Sequence, residues 1–303
     1  MIERYPRIRI HSEAGSVLVR DGLTIRFFMH HSHQEFAPTL VAALDAFIQA
    51  VGPQTLAWYP DMEGDWRRLD DRCWEHTRKE LLESRSPYIT LANRPDGAAD
   101  FQFEYTGVSH DETGPFDEPG RACDARFWLS TEFLEQHGPG HVRDLAMKLG
   151  ATLPFHSGYT SLSINALHQL LGVTRHVRRV CFRYPGMDVL NDSVYRSIGT
   201  RVPGAYWLTF LGQPVLGELG GVAGLRSRLS SPGTTVQQLE GDRAVVTLGE
   251  WPQAGNVEAG EGLPAYRELA RVLEPWLYHD TSSVYNQDFP PEDKLRWERR
   301  FLD

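Results

Sequence analysis

The sequence predicts an α+β protein, a mixed, largely antiparallel sheet with amphipathic helices packed on it. Three observations carry that expectation. Short runs rich in Val, Ile, Thr, Tyr and Phe recur along the chain and are bounded by Gly, Pro, Asn and Asp, residues that turn a backbone. Pairs of these runs follow one another across short turns, as antiparallel neighbours do. Between them lie segments whose apolar residues return every three to four positions, the period of a helix with one buried face.

Taken in order, residues 17–20, the dipeptide Asp21-Gly22 and residues 23–30 predict a hairpin, because Asp-Gly tolerates the positive φ angles of a tight turn. Residues 34–51 predict a helix burying Phe36, Leu40, Val41, Leu44, Phe47, Ile48 and Val51, and Gly52-Pro53 ends it. A short strand over 56–59 precedes a second helix from Asp70, whose carboxylate can cap the free N–H groups of the first turn. Strands over 88–92 and 101–105 flank Asn93-Arg94-Pro95-Asp96-Gly97 and predict antiparallel neighbours, while 109–124, acidic and rich in turn formers, predicts an exposed loop.

A strand over 126–129, a helix over 140–149 facing inward with Val142, Leu145, Ala146 and Leu149, and a strand over 155–164 follow. Residues 204–211 are apolar on both alternating faces and predict a central strand. From Pro214 to about residue 229 the pattern predicts a helix with Gly217, Gly220, Gly221 and Gly224 on one face; each costs about 1 kcal/mol relative to Ala, so close packing is expected to compensate. A second hairpin turns at Gly241-Asp242, and 264–277 predicts the last large helix. A strand–helix–strand order recurs near 23–59 and 204–239, which allows two similar halves meeting near 110–125. Without a residue-level repeat, one domain over 1–278 is the simpler organisation. The polar tail, 279–303, carries a short helix candidate with Leu295, Trp297, Phe301 and Leu302, expected to dock on the body.

The formal charge of -9 disfavours a nucleic-acid partner and favours a basic protein. Cys73, Cys123 and Cys181 are far apart and odd in number, so they predict reduced thiols rather than a disulfide framework or a zinc site. Charges within Met1–Arg7, and the lack of a long apolar run, predict a cytoplasmic protein that does not cross a membrane. Nothing in the sequence sets an oligomeric state.

Candidate chemistry is sparse. His30-His31-Ser32-His33 is a dense histidine cluster, but neighbours on a strand diverge, so a strand end running into a helix is the plainer reading. Asp61-Met62-Glu63-Gly64-Asp65 opens like a calcium loop, yet Trp66 stands where the loop needs glycine and Arg72 where it needs an acid. Gly220-Gly221-Val222-Ala223-Gly224 lacks the order of a dinucleotide fingerprint, and no phosphate-binding loop occurs. No cofactor is implied. His137, His141 and His156 could serve a hydrolase or transferase only with a nearby acid, and no nucleophile elbow flanks them.

The segments YPGMD (184–188), GTRVPGAYWLTFLGQPVLGELGGVAGL (199–225), VVTLGEWPQAG (245–255) and LPFHSGYTSL (153–162) resemble type VI secretion immunity proteins, a bacterial family long catalogued as a domain of unknown function. The resemblance runs over nearly the whole chain. It implies a non-enzymatic antidote that binds a cognate secreted toxin and blocks it; some toxins paired with similar proteins are restriction-endonuclease-like nucleases. The family offers no fixed toxin-contact motif. The expected partner-binding residues are therefore read from charge: Asp61, Glu63 and Asp65 in one loop, and Asp111, Glu112, Asp117 and Glu118 in another. A structural subunit of the secretion apparatus is the remaining alternative.

Overall fold

The structure, a computed structural model, describes residues 4–110, 120–189, 193–280 and 287–303. In chain order the elements are β1 (Arg9–His11), β2 (Val17–Met29), α1 (Ala37–Val51), β3 (Trp58–Pro60), β4 (Trp66–Arg68), α2 (Asp71–Glu83), β5 (Tyr88–Ala92), β6 (Gln102–Thr106), β7 (Cys123–Ser130), α3 (Thr131–Thr152) and β8 (Ser157–Ala166). They continue with α4 (Val173–Cys181), β9 (Met187–Val189), β10 (Leu208–Leu211), α5 (Val215–Glu218), α6 (Gly221–Ser227), β11 (Thr234–Leu239), β12 (Arg243–Leu248), α7 (Pro264–Leu273) and α8 (Pro291–Glu298). The strands form one sheet in the order β11-β12-β10-β8-β2-β7-β6-β5-β3-β4, with β1 on the start of β2 and β9 on β8. Every pairing is antiparallel except β8 with β9, which makes the sheet mixed and largely antiparallel as expected.

The hairpin expected at Asp21-Gly22 does not form. Residues 17–29 run as one strand, paired over residues 19–28 with β8 and over residues 22–29 with β7. Gly22 is required for close approach: a Cβ there would sit 2.6 Å from Asn165 Nδ2 and 2.9 Å from the Leu129 carbonyl oxygen. Asp21, which a turn would expose, is fully buried; it accepts from the Ile8 backbone N–H at 2.8 Å and from the Thr131 hydroxyl, and pairs with Arg9.

The helix expected from Pro214 also fails as one element. Gly220 (φ 84°) and Gly221 (φ 68°) are left-handed and divide it into α5 and α6. Gly220 and Gly221 thus break the helix, while Gly224 serves the close approach expected of it: a Cβ there would collide with the Leu219 carbonyl oxygen. The other expected strands and helices form near their predicted places, though the strand expected over 204–211 is confined to Leu208–Leu211, and β1, β4, α4 and β9 have no counterpart among the expected elements. Asp70 caps α2 through the Cys73 backbone N–H at 2.8 Å, and α3 extends the expected helix back to Thr131 across a break at Gly138. The second hairpin closes between Leu239 and Arg243.

The two faces of the sheet differ. On one, Val19, Leu23, Ile25, Phe27 and Met29 of β2 join the main core with the inner residues of α1 and α3; the Phe47 and Phe127 rings meet at 5.1 Å between centroids. The other face is polar although buried at its centre. Arg26 donates to both Asp124 oxygens (2.9 and 2.6 Å), Arg126 donates to Asp124 (3.2 Å) and to Glu104 (2.8 Å), and the stacked Tyr159 and Tyr206 both donate to Asp188. Phe28 packs there with Val194, Ile198, Tyr206 and Tyr278. The β5–β7 part of this face carries exposed Tyr88 and half-buried Thr90 and Glu104.

The tail docks on the body as expected. Trp297 and Phe301 are buried, the Trp297 ring standing edge-on to Phe182, while Arg178 pairs with Asp293 and Arg300 donates to the Pro185 carbonyl.

Candidate functional site

Over the uncovered part of the polar face lies a groove of about 1390 Å³. Register explains its floor. Thr90 stands opposite Glu104, Glu104 opposite Arg126, and Gln102 opposite Trp128, so these side chains share one face of β5, β6 and β7. Gln102 donates to Glu104 at 2.8 Å, and Glu104 accepts from Arg126, so the floor charges are neutralised in place. One wall is the β3–β4 turn with Met62 and Glu63, another is α2 with Arg72, His76 and Glu80, and a third is the segment after β8 with Leu167, His168 and Gln169. Five carboxylates (Asp61, Glu63, Asp70, Glu80 and Glu104) and three guanidinium groups (Arg72, Arg94 and Arg126) line it, an excess of two negative charges. Met62 is 101% exposed and Tyr88 68%, large apolar surfaces that water alone does not reward. Tyr, Trp and Met are side chains that protein interfaces favour.

The structure brings Asp61, Glu63 and Asp65 together at this rim, with distinct roles. Asp61 builds the turn: its carboxylate accepts from Arg67 Nε at 2.7 Å and from the Glu63 and Asp65 backbone N–H groups, and the Arg67 bond holds its pKa below the usual carboxylate value. Glu63 and Asp65 are exposed, Asp65 lying 3.3 Å from Arg67. Asp61 and Glu63 line the groove. Asp111, Glu112, Asp117 and Glu118 lie outside the described residues. Sequence reasoning missed Tyr88, Trp128 and His168, and passed over Met62 inside the acidic turn it singled out; the strand alternation around Tyr88 hints at an outward aromatic, while Trp128 and His168 come to the groove only through long-range register.

The remaining candidates resolve as follows. His33 turns into the core, where Nε2–H donates to the Leu81 carbonyl (2.8 Å) and Nδ1 accepts from the Tyr105 hydroxyl (2.7 Å). His30 and His31 do not diverge completely: the His156 ring lies 5.9 Å from His30 and 4.9 Å from His31, with His110 5.0 Å from His30. Burial, helped by those two neighbours, pushes His156 down to about 4, and its Nδ1 accepts from the His30 backbone N–H. Among the described residues no group of three His, Cys, Asp or Glu could hold a metal ion. His137 and His141 stack on each other at 5.1 Å beside Phe133, on α3 and away from the β8 strand that His156 precedes. Burial pushes Cys123 up to about 11 and Cys181 up to about 12, so both are thiols, not thiolates, at neutral pH. No helix of the described residues is long and apolar enough to cross a membrane.

A family model described as type VI immunity for VRR-NUC matches residues 39–301. No curated protein sequence matches significantly. Among solved structures, a Pseudomonas aeruginosa T6SS protein aligns with a TM-score of 0.80 at 16% identity, over 99% of this chain and 88% of that one, a likeness that speaks for the fold.

Proposed function

The chain belongs to the family of type VI immunity proteins for VRR-NUC, and from that premise we propose that it binds a cognate nuclease effector in the cytosol of the producing cell and denies it access to its substrate. It acts by occupying a surface and makes or breaks no bond. The observation that carries this reading is the groove: a preformed concavity rimmed by exposed Met62 and Tyr88, with an acidic turn at its mouth. A nuclease that grips polyanionic nucleic acid presents Lys and Arg, and the negative rim complements such a surface. Glu63 and Asp65 steer the encounter while Asp61 holds their turn in shape. On sequence grounds alone, Asp111, Glu112, Asp117 and Glu118 form a second steering patch. A stable complex buries about 1,600 Å² in total, so the groove anchors a wider contact.

The test is stoichiometric inhibition. Purified chain is titrated into its cognate VRR-NUC effector while nucleic-acid cleavage is followed. Cleavage stopping near one equivalent is the expected result; cleavage running unhindered at a tenfold excess refutes the reading.

A further inference from the structure

We infer that the groove receives the tip of an effector loop, which brings a hydrogen-bond acceptor to the indole of Trp128 and flanks it with Lys or Arg. This rests on the immunity reading and adds the chemistry of the segment that enters.

Trp128 is 4% exposed, lines the groove, and has no acceptor for its Nε1–H. Buried indole N–H groups ordinarily find partners, and leaving one without forfeits the hydration it had in the unfolded chain. Thr24, directly opposite Trp128 on β2, is likewise buried with an unpartnered hydroxyl. Of the two, Trp128 lines the groove, and its indole therefore lacks what an incoming acceptor would supply. The middle of a helix or a paired strand supplies it poorly, since its carbonyls already accept within the element; the tip of a loop has carbonyls to spare. The volume agrees: about 1390 Å³ exceeds the roughly 300–1,000 Å³ typical of small-molecule pockets and admits a short stretch of polypeptide. The excess of two carboxylates over guanidinium groups along the lining selects cationic flanks.

The probe is a catalytically inactive variant of the cognate VRR-NUC effector, measured by calorimetric titration and by ¹⁵N–¹H spectra of the indole groups. Trp128→Phe keeps an aromatic ring and removes the donor, so the dissociation constant is expected to rise roughly tenfold. In the unaltered protein, the indole resonance that this variant lacks is expected to move downfield and gain exchange protection in the complex. Thr90→Trp, which fills the groove above the floor, is expected to weaken binding a hundredfold or more, on the order of a lost interface anchor. An indole resonance that stays in place overturns the inference whatever the variants do, as does full affinity in Thr90→Trp. Failure of the unaltered chain to bind at all overturns the immunity reading itself.

Discussion

Replacing Asp21 by Ala separates the continuous strand from the hairpin that local sequence suggests. In a turn, Asp21 would face water, and its loss would change stability by no more than about 0.5 kcal/mol. In the structure its carboxylate is buried and serves the Ile8 backbone N–H, the Thr131 hydroxyl and Arg9. Ala leaves the buried Ile8 N–H and the Thr131 hydroxyl without this acceptor and Arg9 with Glu132 alone among the described carboxylates, a loss on the order of 3–5 kcal/mol. At roughly 2.1 cal/mol/K per residue, a chain of 303 residues unfolds with an entropy of about 0.6 kcal/mol/K, so Tm is expected to fall by about 5–8 °C. Differential scanning calorimetry reads the shift, and Asp21→Asn, which keeps one acceptor oxygen, should fall between. A Tm lowered by less than about 1 °C in Asp21→Ala would refute the strand assignment and the burial reasoning together.

Other outcomes follow from the same geometry. Burial alone would raise the Asp124 pKa, but Arg26 and Arg126 overcome it and hold the carboxyl below its usual value. Its contribution is complete above the unfolded pKa and lost as pH falls below about 4, so Asp124→Leu combined with Arg26→Met should flatten the acid limb of a urea-midpoint profile; an unchanged limb contradicts this. Glu298, on the tail itself, is shifted the other way, up to about 7 by burial. Its protonated form favours folding, so the stability it adds is greatest below about pH 4.5 and is lost by pH 7, and Glu298→Gln should erase that slope. Trp297→Ala should cost about 3–5 kcal/mol and make the tail accessible to limited proteolysis, whereas resistance equal to the parent would place the tail's anchor elsewhere. Glu63→Lys should slow association with the effector severalfold, most at low salt, with Tm unchanged; a salt-independent rate would remove Glu63 from steering.

The contrast between two dipeptides shows what the sequence could disclose. Gly241-Asp242 turns a hairpin, with φ of 69° and 52°, as its composition predicts. Asp21-Gly22 has the same chemistry in reverse order and lies extended, because β7 and β8 claim both edges of its strand, the Thr131 hydroxyl, 110 residues away, donates to Asp21, and Arg9 answers its charge. Local preference of a kcal/mol or so yields to a full ladder of pairing that no window of sequence displays. The amphipathic helices, the Asp70 cap and the docked tail were legible because their causes are local. At the candidate site, the acidic turn was legible for the same reason. The groove was not: Thr90, Glu104, Arg126 and Trp128 meet only through the register of three strands, and none carries a local mark of exposure.

The length of β2 has a kinetic consequence. Leu23 lies opposite both Leu129 and Leu162, so the central strand completes its pairing only after residues roughly a hundred or more positions downstream have emerged and returned. Chains with such distant partners mature slowly. An antidote built this way protects from a standing stock of finished molecules, and a cell that began synthesis only when poisoned would be waiting on its own topology.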